Sequence, residues 1–159
     1  MTDPDQTSQR RVGDWPETPP DPSVVAGMVS YTPYARALGM QYVSSSTGHG
    51  EIVLPWREDL VGQGGSDILA PGVLTALIDH VCGLAIMATF GFGAAPATLD
   101  LRIDHMRPAA PRASITAAAH CYKSTRTIAF LRAEAWDVSR DDLVATAQAA
   151  FILNRRDKK

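Results

Sequence analysis

One segment constrains this chain more than any other: Pro71 to Phe90, PGVLTALIDHVCGLAIMATF. Val73, Leu74, Leu77, Ile78, Val81, Leu84, Ala85, Ile86 and Met87 leave it no broad polar face. Pro71 suits the first helical position, where its missing N–H costs the helix nothing. The pattern predicts a helix over 71–90, and a helix that is apolar all round must be enclosed by other protein. The wrapping has to come from the rest of the chain, and what the rest offers is sheet.

Met40 to Ser46 and Gly50 to Trp56 read as two strands joined by a turn at Thr47-Gly48-His49-Gly50. Beyond the helix, Ala97 to Met106, Arg112 to Lys123, Arg126 to Trp136 and Leu143 to Leu153 read as four more. They are separated by turn chemistry at 107–111, 124–125 and 138–142. In the first of the four, Leu99, Leu101 and Ile103 are expected on one face and Asp100, Arg102 and Asp104 on the other. The last alternates less cleanly because of its alanines, which suit close packing against a helix. The strands follow one another too closely for crossover helices, so the sheet should be mostly antiparallel. A short helix from Thr32 to Leu38, ended by Gly39, precedes them. The expected architecture is α+β: one long central helix wrapped by a curved antiparallel sheet of about six strands.

A length of 159 residues fits one domain. Residues 1–25 are crowded with Pro16, Pro19, Pro20 and Pro22 and read as a flexible arm unable to form a helix, with Trp15 as an anchor. The domain is expected over 26–155, with a polar tail at 156–159. A net charge of −2 gives no attraction to a phosphate backbone or an anionic membrane, which argues against both as partners. Acids at Asp3 and Asp5 are unlike a signal peptide, and Gly83, Gly91, Gly93 and Pro96 interrupt the apolar run from Val81 to Leu99, against a membrane span. Cys82 and Cys121 lack metal-ligand spacing and read as small buried residues of a reducing, cytoplasmic compartment. His49, His105 and His120 also show no metal spacing, and neither a metal nor a cofactor is expected.

Asp79 stands out in the apolar helix. A carboxylate loses several kcal/mol, roughly, on leaving water unless something compensates it. Enclosure in apolar surroundings is also how proteins tune carboxylates for general-base work. The residues leave two alternatives open: a functional acid, or an acid at an exposed helix edge that Thr75 satisfies from one turn away.

Three stretches then match one pattern in order. They are Gly72-Val-Leu-Thr-Ala-Leu-Ile-Asp79-His-Val-Cys-Gly-Leu-Ala85, Pro96 to Pro108, and Lys123-Ser-Thr-Arg126-Thr-Ile-Ala-Phe130. Together they resemble the hotdog-fold acyl-CoA thioesterases of the phenylacetate-degradation-like (PaaI-like) group, over roughly Tyr34 to Leu153. The resemblance implies acyl-CoA as substrate, with an acid at Asp79 that activates water or attacks the thioester carbonyl. It implies a backbone N–H at the helix start that polarises this carbonyl, and a hydroxyl at Thr98 that holds the water. It also implies an active site between two subunits of a homodimer, with homotetramers common.

The chain departs from that pattern where the family's helix opens with His-Gly-Gly, since those positions read Ala70-Pro71-Gly72. Pro71 has no N–H to give, so Gly72 or Val73 is the expected donor. The family's loop asparagine falls near Gly64, with Gln63 as an amide replacement. Arg107, Lys123 and Arg126 are candidates for the CoA phosphates, Arg126 first. His80, next to Asp79, is expected to point to another side of the helix. Two functions stay open: a thioesterase using Asp79, and a non-catalytic acyl-CoA-binding module of the same fold.

Overall fold

A computed structural model describes residues 18–154; Trp15, most of the expected arm and the tail at 156–159 lie outside the described residues. Three helices and six strands make up the domain: α1 (Pro22–Tyr31), α2 (Pro33–Leu38), β1 (Gln41–Ser46), β2 (His49–Leu54), α3 (Pro71–Phe90), β3 (Ala97–His105), β4 (Ile115–Ser124), β5 (Ile128–Trp136) and β6 (Ala145–Ile152).

The long helix starts and stops where its residues dictate. Pro71 is its first residue, and Gly91 closes it with φ 73°, donating its N–H to the Met87 carbonyl at 2.9 Å. Leu77, Ile78, Val81, Cys82, Ala85 and Ile86 are fully buried against the sheet. Each large side chain among them contributes about 1.5–3 kcal/mol by leaving water. The helix is long and apolar enough to cross a membrane by composition, yet most of it is enclosed by this chain's own strands.

The sheet is antiparallel throughout, in the order β1-β2-β4-β5-β6-β3. Small residues let strands and helix touch. A Cβ on Gly50 would meet the Ala85 backbone nitrogen and the Leu84 Cγ at 3.0 Å. Thr89, buried at the far end of α3, donates to the Ala85 carbonyl and accepts the Gly48 N–H, each at 2.8 Å. This pins the helix to the β1–β2 turn. In β6 the burial alternates cleanly after all: Ala145, Ala147, Ala149 and Phe151 face inward.

Two expectations need correction. Residues 22–25 are helical, not part of an arm. Asp21 caps α1, its Oδ1 accepting the Ser23 N–H at 2.8 Å, and Pro22 takes the first position, where proline favours a helix. Val25 and Val29 then bury against the core. The second correction lies in β3, where the alternation is broken by a bulge between Thr98 and Asp100. The extra residue, Leu99, is 56% exposed, while Leu101 and Ile103 pack on the core as expected.

Candidate active site

That bulge shifts the strand's phase by one residue, and Thr98 therefore faces the helix rather than pointing out with Asp100. Its Oγ1 donates to Asp79 Oδ1 at 2.7 Å. Thr75 does not satisfy the acid; its hydroxyl turns back to the Pro71 carbonyl at 3.2 Å. Asp79 is half-buried at the edge of a cavity of about 280 Å³. From α3 the cavity is lined by Asp79, His80, Gly83 and Met87, from β3 by Thr98, and from α1 by Met28 and Val29. His80 thus shares the cavity with Asp79, contrary to the expectation that it points elsewhere. Burial lowers its pKa, against the opposing pull of the Asp79 charge, so the neutral imidazole is favoured.

The residues expected to assist the acid stand at the start of α3. The first-turn amides there are not equivalent. Pro71 has none, and those of Val73 and Leu74 donate to the Ala70 carbonyl at 3.0 and 3.4 Å. The Gly72 N–H has no acceptor among the described residues, which makes it, not Val73, the free donor. Gln63 lines a second cavity of about 710 Å³, with Pro71, Leu74 and Met106. Gly64, beside it, is exposed with open space around its Cα. Seven residues of helix, about 10 Å of rise, separate Gly72 from Asp79. Within one subunit the structure brings Asp79 and Thr98 together and leaves Gly72, Gln63 and Gly64 apart from them.

The basic candidates divide as well. Arg107 is already engaged: its Nη1 and Nη2 reach both Asp137 oxygens at 2.9 and 2.6 Å, and its Nη2 also donates to the Asp142 carbonyl at 2.7 Å. Its Nε lies 3.0 Å from the Asp142 carboxylate, near enough for an ion pair but off line for a hydrogen bond. The Asp137 side chain is 1% exposed and also accepts the Ala110 and Val138 amides, each at 2.7 Å. Arg107 holds its carboxyl well below the usual carboxylate range. This guanidinium ties two loops together and is no free phosphate fork. Lys123 and Arg126, by contrast, are exposed at the β4–β5 hairpin. Ile128 pairs with Ile152, and Ile152 with Ala97, so that hairpin lies at the Thr98 end of the sheet.

Two groupings escaped the sequence. Trp56 Nε1 and the Arg112 N–H both donate to the Asp67 carbonyl at 2.8 Å, and Arg112 Nε pairs with the Asp67 carboxylate at 2.8 Å. Asp67 and Arg112 both have positive φ, of 55° and 57°, a strained conformation that these contacts hold where the loop leading to α3 meets the β3–β4 loop. His49 and His120 meet across β2 and β4 with ring centroids 4.3 Å apart. Separation in sequence hid both. Cys82 and Cys121 are buried free thiols; burial pushes Cys82 well above, and Cys121 up to about 11. Among the described residues no His, Cys, Asp and Glu side chains cluster as metal ligands.

Residues 67–144 match the family model of the thioesterase superfamily. No curated protein matches the chain. A Pseudomonas aeruginosa protein of solved structure is 26% identical, with a TM-score of 0.74 over 82% of this chain and 96% of that one. The Escherichia coli PaaI protein, from the phenylacetic acid degradation operon, has a TM-score of 0.71 at 19% identity, over 82% of this chain and 91% of its own. The Haemophilus influenzae thioesterase HI1161 has a TM-score of 0.74 at 18% identity, over 91% of this chain and 99% of its own. The helix wrapped by six antiparallel strands is the hotdog architecture these proteins share, and over the matched segment this chain is similar to the thioesterase superfamily.

Proposed function

We propose that this protein hydrolyses acyl-CoA thioesters with Asp79 as the base, in a site completed by a second copy of the chain. The observation that carries the proposal is the Thr98–Asp79 hydrogen bond at the mouth of an apolar cavity. A carboxylate and a hydroxyl so paired can hold one water between them. Asp79 takes a proton from that water as its oxygen attacks the thioester carbonyl. The carbonyl oxygen becomes an oxyanion and is stabilised by a backbone N–H at the positive end of a helix. The C–S bond then breaks, and the CoA thiolate leaves and takes up a proton, so acid and thiol are the products.

The need for a second copy follows from the separation of the two half-sites. Among the described residues β3 has a neighbour on one side only, and Met106, just past its end, is 62% exposed. Antiparallel pairing of two β3 edges lays the Thr98 end of one strand against the His105 end of the other. His105 borders the cavity that Gln63 lines. Asp79 would then face Gly72 and Gln63 of the partner subunit, with Gly72 supplying the oxyanion N–H and Gln63 the amide near the thioester. Dimers of this kind can pair further into homotetramers. Lys123 and Arg126, exposed at the Thr98 end, suit the phosphates of CoA. The two buried free thiols support a reducing, cytoplasmic setting.

The test is thiol release from a panel of acyl-CoAs. Asp79→Asn should lower it by about 10²–10⁴ while the fold survives. Activity that persists in Asp79→Asn and Asp79→Ala rejects Asp79 as the base. Single turnover in oxygen-labelled water separates the two roles of the acid, since direct attack by Asp79 leaves label in the protein and base catalysis does not. One observation favours a second reading, a non-catalytic acyl-CoA binder: Pro71 removes an N–H where the family's oxyanion donor stands. That reading predicts saturable binding without turnover.

A further inference from the structure

We infer that Gly83 forms the floor of an acyl-binding cavity beside Asp79, and that this cavity admits uncharged, apolar acyl groups. The inference rests on the thioester reading of the site and names its substrate class. A glycine inside a helix weakens it relative to alanine, so its presence asks for a reason. One usual reason is a positive φ, and Gly83 is not among the glycines that have one. The other is close packing, as at Gly50, where a Cβ would press on the helix backbone at 3.0 Å. Among the described residues a Cβ on Gly83 would meet nothing within 4 Å. Yet Gly83 does not face open solvent; it is half-buried and lines the cavity one helical turn after Asp79. The missing side chain therefore keeps space open directly next to the acid.

The remaining walls say what that space accepts. Met28 and Val29 of α1, Leu84 and Met87 of α3 and Phe151 of β6 are all apolar, and the polar side chains in the lining are Asp79, His80 and Thr98. Among the described residues the lining holds no Lys or Arg and carries the Asp79 carboxyl, so an acyl chain ending in a carboxylate would bury its charge without a cationic partner, whereas a hydrocarbon end would not. Methionine side chains adapt to the shape beside them, so Met28 and Met87 form a yielding boundary, and Gly83 a rigid one.

The experiment uses the full chain with Gly83→Ala and Gly83→Val. It measures kcat/KM for acetyl-, hexanoyl-, decanoyl- and glutaryl-CoA, and the affinity for non-hydrolysable thioether analogues of the same four. Wild type should prefer hexanoyl- over glutaryl-CoA. In Gly83→Val the ratio of hexanoyl to acetyl kcat/KM should fall roughly 10- to 100-fold, with Gly83→Ala between the two. Gly83→Ala should melt no lower than wild type, because alanine favours the helix, and so serves as the folding control. Gly83→Val scaling every substrate equally, or an equal preference for glutaryl-CoA, overturns the inference. If wild type turns over nothing but binds the hexanoyl analogue in a Gly83-dependent way, the cavity assignment stands and the hydrolase reading falls. If it neither binds nor turns over any of the four, both fall.

Discussion

The start and the middle of α3 are built on opposite principles. Around its start, charges lock the surrounding loops: Arg107 grips Asp137 and Asp142, and Arg112 grips Asp67 under the Trp56 indole N–H. Farther along, around Asp79, the surroundings are mostly apolar and hold the Asp79–Thr98 pair and His80 beside a cavity. The first region spends its charges on geometry and leaves few for a ligand. The second keeps its acid partly free and its cavity open. Position along one helix thus separates what holds the fold from what can do chemistry.

The contrast predicts that substitutions around the helix start change stability and those around its middle change turnover. Asp137→Ala should have the largest effect, lowering stability by about 3 kcal/mol in denaturant melts, because it leaves two backbone amides unpaired and takes from Arg107 its buried partner, with only Asp142 remaining. The same pair makes stability pH-dependent. Because Asp137 is held below its unfolded-state pKa, its contribution is present at neutral pH and fades as pH falls below about 4, the ordinary carboxylate value. Asp137→Asn should flatten that acid limb; an unchanged limb would show that the pair carries none of it.

Thr98→Val comes next and tests the middle region. A hydrogen bond to a carboxylate is worth about 1.5–3 kcal/mol, so turnover should drop roughly 10- to 100-fold. The melting temperature should hardly move, and a large loss of stability with little loss of rate would erase the distinction between the two regions. Smallest is Arg126→Ala, which removes one exposed charge. It should raise KM for a CoA thioester by only a few-fold, about what an exposed ion pair supplies, and the effect should vanish at high salt. An equal KM effect with a substrate lacking the nucleotide would detach Arg126 from CoA.

Much of this fold was legible in the sequence, for local reasons. Pro71 and Gly91 bound α3 because one lacks an N–H where none is needed and the other tolerates positive φ. The start of α1 is encoded locally too, by Asp21-Pro22-Ser23, a cap followed by a first-turn proline, although the crowding of four prolines there resembles an arm. Asp79 stood out as the one acid in an apolar helix. Thr98 was reached only through family resemblance, since strict alternation along β3 turns it away from the helix.

The sequence by itself determined the long helix, most of the strand boundaries and the identity of the acid, because propensity, periodicity and the cost of burying charge act within a few residues of one another. Only the tertiary structure decided which groups meet that acid and which basic residues remain free. The bulge that delivers Thr98 depends on how β3 registers with β6, and Arg107 finds Asp137 thirty residues away because two loops fold together. Contacts of that kind depend on packing in three dimensions, which no local pattern encodes.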